Sequence, residues 1–248
     1  MAGHSQFKNI MHRKGAQDAK RAKIFTRIGR EIAVAVKLGS PDPDANPRLR
    51  AAISAAKAAN MPNERIDRAI KSASGPDNTD DYVEIRYEGY GPGGIAVIVE
   101  AMTDNRNRTA SEVRSYFNKS GGSLGETNSV SFLFQRVGEI QVAADETGFD
   151  DLFDVAASAG AEDVEDDDEV FTVVTEVETF NDVYQEVDKA ATVKEAKLVW
   201  RPMAPVAVDA DSQPGLMKLL EALDDNDDVQ NVYTNADLAS LAEAADAA

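Results

Sequence analysis

The apolar residues of this chain keep two different periods, and the change comes near residue 80. Within residues 17–38, Ile24, Ile28, Ile32 and Val36 recur every four positions, the spacing of a helix with one buried stripe. From Tyr82 the period is two, with Val83, Ile85 and Tyr87 alternating with Glu84 and Arg86, as in a half-buried strand. One layer of secondary structure cannot serve both patterns. The chain therefore reads as a helical segment followed by α+β material.

Punctuation refines the helical part. Gly39-Ser40-Pro41 stops the first helix, and Asn46-Pro47 supplies an N-cap with Pro at the first helical position. Leu49, Ile53 and several alanines carry a second helix to about Asn60. Met61-Pro62 opens a third, with Ile66 and Ile70 inward, which ends by Gly75. The polar, Pro/Gly-bearing stretch 72–81 reads as a linker.

The α+β part divides again. Strand Tyr82–Tyr87, the turn GYGPGG, strand IAVIVEAM, a helix around Thr109–Asn118, a Gly-rich segment and strand SVSFLF form one group. From Glu139 the order is strand EIQVAA, helix DDLFDVAASAG, two strands about VEDDDE, helix FNDVYQEVDKA and strand AKLVW. That βαββαβ order is the ferredoxin-like arrangement. PVAVD, a helix through Gly215–Leu223 and strand VQNVYTN make only half a domain, so they pair with the earlier group. The expected fold class is thus α+β multidomain. A three-helix domain at 1–78 precedes a discontinuous α+β domain at 79–135 plus 204–248, which carries a ferredoxin-like insertion at 136–203. The tail ASLAEAADAA has no partner signal and is expected to fray.

Charge is segregated along this order. Residues 1–75 hold 15 Lys and Arg against 6 Asp and Glu, a formal +9, whereas the remainder holds 11 against 38, a formal −27. The whole chain is at −18. A basic segment on so acidic a background points to a polyanionic partner. The acidic domains would face a protein partner or keep the molecule off non-specific polyanion. There is no Cys, which excludes disulfides, thiolate metal sites and a Cys nucleophile, and fits a reducing cytosol. The densest apolar run, Ile95–Val99, is too short to cross a bilayer, and the first residues lack a signal-peptide core. A cytoplasmic monomer with no membrane contact is expected.

The candidate nucleic-acid contacts follow from the same charge. Lys20, Lys23, Arg27 and Arg30 share about one quadrant of the first helix beside its Ile stripe, and Arg21 adjoins them. With the stripe buried on the other two helices, this basic face is expected to point outward, available to phosphate. His4, Lys8, His12, Arg13 and Lys14 form a basic arm ahead of it. Arg106 and Arg108 open a helix whose N-terminus adds partial positive charge, and Arg114 follows. The loop LGSPDPDANP is too long for a helix-turn-helix, so phosphate contact is the expectation rather than base reading. DNA and structured RNA are both left open at this point.

Other sites are not expected. GYGPGG matches G-x-G-x-x-G, but β-rich IAVIVE follows where a dinucleotide site needs a helix, so it reads as a hairpin turn. His4 and His12 are the only histidines and lack a ligand set for zinc. VEDDDE and DDNDD lack calcium-loop spacing and read as solvated turns. No catalytic residue, metal or cofactor is expected, and the chain is read as a non-enzyme.

The segments MAGHSQFKNIMHRKGAQDAKRAKIFTRIGREI, NPRLRAAISAAKAANMPNERIDRAI, YEGYGPGGIAVIVEAMTDNRNRTASEVRSYFNKSGGSLG and DDVQNVYTN resemble the YebC/PmpR family. Its eukaryotic relatives include the mitochondrial translational activator of cytochrome oxidase subunit one. The resemblance spans nearly the whole chain and implies three domains and a non-enzymatic regulator of gene expression in the bacterial cytoplasm. Two descriptions attach to the family. One is a DNA-binding transcriptional regulator acting with the transcription machinery, which the resemblance favours here. The other is a ribosome-associated translation factor that contacts ribosomal or transfer RNA at difficult stretches such as consecutive prolines. Gln6, Phe7 and Met11 depart from the family's basic and Trp residues, and GETNSVSF departs from its glycine-bearing version.

Overall fold

The structure is a computed structural model that describes residues 17–75, 82–145, 147–167 and 169–237, with side chains described from Arg21 onward. The described residues fall into two compact units. One contains everything up to Val130 together with Val208–Thr234, and the other contains Ser131–Ala207 with residues 235–237. Of the expected linker at 72–81, residues 72–74 instead finish a helix and 76–81 lie outside the described residues, as do the basic arm and the C-terminal tail.

The first unit opens with three helices, α1 (Gln17–Leu38), α2 (Pro47–Ala58) and α3 (Asn63–Ser74). Their shared core is Phe25, Ile32, Ala35 and Val36 of α1, Leu49, Ala52 and Ala56 of α2, Met61, and Ile66 and Ala73 of α3. Ile28 packs partly against it, but Ile24 is 39% exposed and Phe25 takes its place. An i+4 repeat drifts by about 40° per step on a helix of 3.6 residues per turn, so Ile24 and Ile32 point about 80° apart. Asn46 both starts α2 and ties it to α1. Its side chain accepts from the Leu49 amide at 3.1 Å and donates to the carbonyls of Ala35 at 2.7 Å and Ser40 at 2.8 Å. Losing such a cap costs about 0.5–2 kcal/mol before the other two bonds are considered.

The sheet of this unit runs in the order β3-β1-β2-β8, all antiparallel, from β1 (Val83–Tyr90), β2 (Ala96–Thr103), β3 (Ser123–Leu124) and β8 (Val229–Thr234). Strands β1 and β2 form a hairpin closed by a short 3-10 turn at Pro92–Gly94, where Gly93 has φ +71°. GYGPGG is therefore a turn, with a strand rather than a helix after it. Helices α4 (Arg106–Lys119) and α7 (Gln213–Asp225) bring Val113, Phe117, Leu216, Leu219, Leu220 and Leu223 into the core. Gly89 is needed for that packing, because a Cβ there would meet the Ser123 carbonyl at 2.5 Å and the Phe117 ring at 2.9 Å.

The second unit is the βαββαβ arrangement: β4 (Phe134–Ala143), α5 (Phe149–Ala159), β5 (Asp163–Asp166), β6 (Val170–Thr175), α6 (Phe180–Ala190) and β7 (Val193–Pro202). The antiparallel order β5-β6-β4-β7 is that of a ferredoxin-like sheet. Ile140, Val142, Val173 and Phe171 pack beneath Leu152 and Ala156 of α5 and Val183 and Val187 of α6. The expected strand SVSFLF is instead a 3-10 turn at Ser131–Leu133, and one long strand starts at Phe134 and runs through Gly138 to Ala143. Gly138 does not interrupt it, since the missing side chain leaves room for the Phe180 ring and the Thr175 hydroxyl.

Candidate nucleic-acid interface

Lys23, Arg27 and Arg30 of the basic quadrant of α1 do not point outward. They meet the acidic last turn of α7 and the turn that leads from it to β8. Lys23 Nζ lies 2.8 Å from Asp225 Oδ1 and 3.7 Å from Asp224 Oδ2. Arg27 donates to the Asp224 carboxylate at 2.9 Å and to its backbone carbonyl at 2.7 Å. Arg30 reaches the Asp228 carboxylate at 2.9 Å, the Met102 carbonyl at 3.4 Å and the Asp227 carbonyl, and stacks over the Tyr82 ring at 5.5 Å. The three cationic side chains are only 15–20% exposed. Val34, on the same side of α1, is buried outside the three-helix core. Helix α1 thus has two buried faces: an apolar one against α2 and α3, and a cationic one against the aspartates.

Those aspartates are correspondingly not a solvated turn. Asp228 is 3% exposed and takes hydrogen bonds from Thr109 Oγ1 at 2.6 Å, Arg108 at 2.8 Å and Thr103 Oγ1 at 3.2 Å, besides the Arg30 pair. Burial pushes its carboxyl up, but the bonds from Arg108 and Thr109 and the charges of Arg30 and Arg108 outweigh it. The result lies below the usual carboxylate range. Asn226, also buried, donates to Glu112 at 2.7 Å and to the Tyr116 hydroxyl at 3.2 Å, which fixes the turn that aims Asp228. Among the described residues, no three side chains of metal-ligating type gather.

The second cluster splits in the same way. Asn105 caps α4 by accepting from the Arg108 amide at 3.1 Å. Arg108 is paired with Asp228 and with Asp104 at 2.9 Å, and both bonds raise its pKa. Arg106 and Arg114 are exposed and form no ion pair among the described residues. Burial raises the pKa of Tyr87, and the Arg106 charge offsets part of that rise. Arg21 is likewise exposed on the first turns of α1. The Lys20 side chain and His4, Lys8, His12, Arg13 and Lys14 fall outside what is described.

Sequence reasoning passed over the exposed cations of the other two helices, Arg50 and Lys57 on α2 and Arg65, Arg68 and Lys71 on α3. Their signal was present as cations on the sides of α2 and α3 away from Leu49, Ala52, Ile66 and Ile70. Glu64 and Asp67, interspersed on α3, masked it.

Comparison with known proteins places the whole arrangement. The crystal structure of a conserved hypothetical protein from Aquifex aeolicus is similar to this chain at 46% identity, with 91% of this chain and 94% of that one covered and a TM-score of 0.82. A family model for the TACO1/YebC protein N-terminal domain matches residues 5–76. One for the TACO1/YebC second and third domain matches residues 82–236. The two matches span the helical segment and both sheets, and the chain belongs to the TACO1/YebC family.

Proposed function

We propose that this chain is a non-enzymatic, cytoplasmic, monomeric regulator of gene expression that works by gripping the phosphate backbone of nucleic acid. Family membership supports a regulator-type function. The observation that carries the nucleic-acid reading is the charge division, a formal +9 in residues 1–75 against −27 in the rest. Such a division orients a molecule toward a polyanion with its basic segment first. Duplex DNA, and with it transcriptional regulation, is the first ligand to test.

A second reading, a translation factor on ribosomal or transfer RNA, is favoured by one feature of the helices. Eight residues, 39–46, separate α1 from α2 and are fixed by the buried Asn46, where a base-reading helix-turn-helix needs a turn of three or four. Contact without base readout suits structured RNA at least as well as an operator. The test is a binding titration of the full chain on duplex DNA and on a ribosomal RNA fragment at matched salt. A clear preference for DNA supports the transcriptional reading, and a clear preference for RNA supports the second. Binding to neither, at any salt concentration, overturns both.

A further inference from the structure

We infer that the phosphate-contacting surface is the outer side of α2 and α3, carried by Arg50, Lys57, Arg65, Arg68 and Lys71, and that its partner is a double-helical backbone. The inference rests on the nucleic-acid reading above and names the surface that reading needs. The first ground is availability. Lys23, Arg27 and Arg30 of α1 are engaged with Asp224, Asp225 and Asp228, and Arg48 is engaged with Glu31 and Glu84. The five on α2 and α3 are exposed, and none forms an ion pair among the described residues. Arg50 makes only a long bond, 3.4 Å, to the Asp44 carbonyl.

The second ground is placement. On α3, Arg65, Arg68 and Lys71 follow at i, i+3 and i+6 over an arc of about 120°, opposite Ile66, Ile70 and Ala73, which face the core. On α2, Arg50 and Lys57 are seven residues apart and so nearly eclipsed in projection. Both helices pack their apolar sides on α1, so these cations lie away from the aspartates that occupy its other face. The Arg65 guanidinium stacks over Phe25 at 5.1 Å, which holds it in place with its N–H edge free for a phosphate.

The third ground selects a duplex. Neither α2 nor α3 contains an aromatic residue on which an unpaired base could stack. Ala51, Ser54, Ala55 and Ala58 are exposed and small, so a backbone can approach α2 closely. Arg50 and Lys57 are separated by about 10 Å along the helix, roughly three nucleotides of rise on one strand.

The experiment is a salt titration of the full-length chain on duplex DNA, duplex RNA and a single strand of the same length. Wild type is set beside R50Q/K57Q/R65Q/R68Q/K71Q and beside K23Q/R27Q. If all five residues touch phosphates, the first variant flattens the slope of log K against log salt by about 4–5 units on duplex. K23Q/R27Q should leave the slope unchanged. A flattening by K23Q/R27Q with none from the quintuple variant overturns the assignment and leaves the nucleic-acid reading intact. Tighter binding to the single strand overturns the duplex partner. A wild type that binds no nucleic acid overturns the reading itself, and the surface with it. Should the quintuple variant fail to fold, R68Q/K71Q alone should flatten the slope by about 2 units. E64Q/D67N, which removes the two carboxylates on α3, should bind duplex several-fold more tightly; unchanged or weaker binding overturns the surface.

Discussion

Helix α1 and the pair α2 and α3 carry similar cations and differ in where the counter-charge lies. Lys23, Arg27 and Arg30 find theirs about 200 residues away in sequence, on the end of α7 and the turn after it. The cations on the outer side of α2 and α3 find none among the described residues. A charge run read from one helix is therefore ambiguous until the rest of the chain is folded around it. The same residue types hold a fold together on one face and stay available to a ligand on another.

The largest effect that tests this difference is at Asp228. Asp228→Ala leaves Arg30 without its carboxylate in a site where both side chains are mostly buried, and it strips one of three partners from Thr109 and one of two carboxylates from Arg108. Breaking a buried pair from one side costs about 3–5 kcal/mol. Urea unfolding of the full chain measures it. A loss well under 1 kcal/mol would mean that the cationic face of α1 contributes nothing to the fold.

Acid should erode the same contact. The folded-state pKa of Asp228 is depressed, so its contribution is present in full above the unfolded carboxyl value of about 4 and is lost as pH falls through the lower folded value. The stability gap between wild type and Asp228→Asn should accordingly narrow below about pH 4 and hold constant above about pH 5. Glu165 of the second unit has the same sign, because hydrogen bonds from Arg201 hold its carboxyl low against burial. A gap that widened on acidification would reverse the assignment.

How much of this was legible in the sequence differs by scale. The four-residue repeat, Gly39 and Asn46-Pro47 announced α1 and α2 to within a residue or two, because caps and stops are local chemistry. The swap of Ile24 for Phe25 in the core was not legible, since a strict i+4 repeat does not say where along its drift the neighbours sit. The βαββαβ order gave the second sheet, yet its first strand was expected from Glu139 and starts at Phe134, running through Gly138, which is a seat for Phe180. For the site, residue type identified the cations correctly as cations. Which ones are free depends on Asp224, Asp225 and Asp228, whose acidic run has the composition of any solvated turn. Arg30, Thr103, Arg108, Thr109 and Asn226, far apart in the chain, together make Asp228 an anchor.

A smaller effect separates the rim of the α1 contact from its centre. Lys23 pairs with Asp225, whose side chain is 84% exposed, and Arg27 with Asp224, at 37%. Exposed pairs of this kind are each worth about 0.2–1 kcal/mol. K23Q/R27Q should therefore cost about 0.5–2 kcal/mol. Added salt should shrink that cost, as screening predicts, while leaving most of the Asp228 effect in place.

The smallest effect is the control that gives the others their meaning. R68Q/K71Q removes two positive charges, the same number as K23Q/R27Q, from a chain already at −18. Any general penalty from a more negative molecule is thus common to the two variants and cancels in their difference. Gln keeps high helix propensity, and both residues of α3 are exposed with no ion pair to lose among the described residues. Stability should stay within about 0.5 kcal/mol of wild type, as for surface substitutions away from packed features. Thermal unfolding of the two variants side by side measures the difference. If R68Q/K71Q destabilised as much as K23Q/R27Q, the outer face of α3 would be serving the fold as α1 does. A null result there, beside a measurable loss on α1, separates cations that hold the protein together from cations left free for a partner.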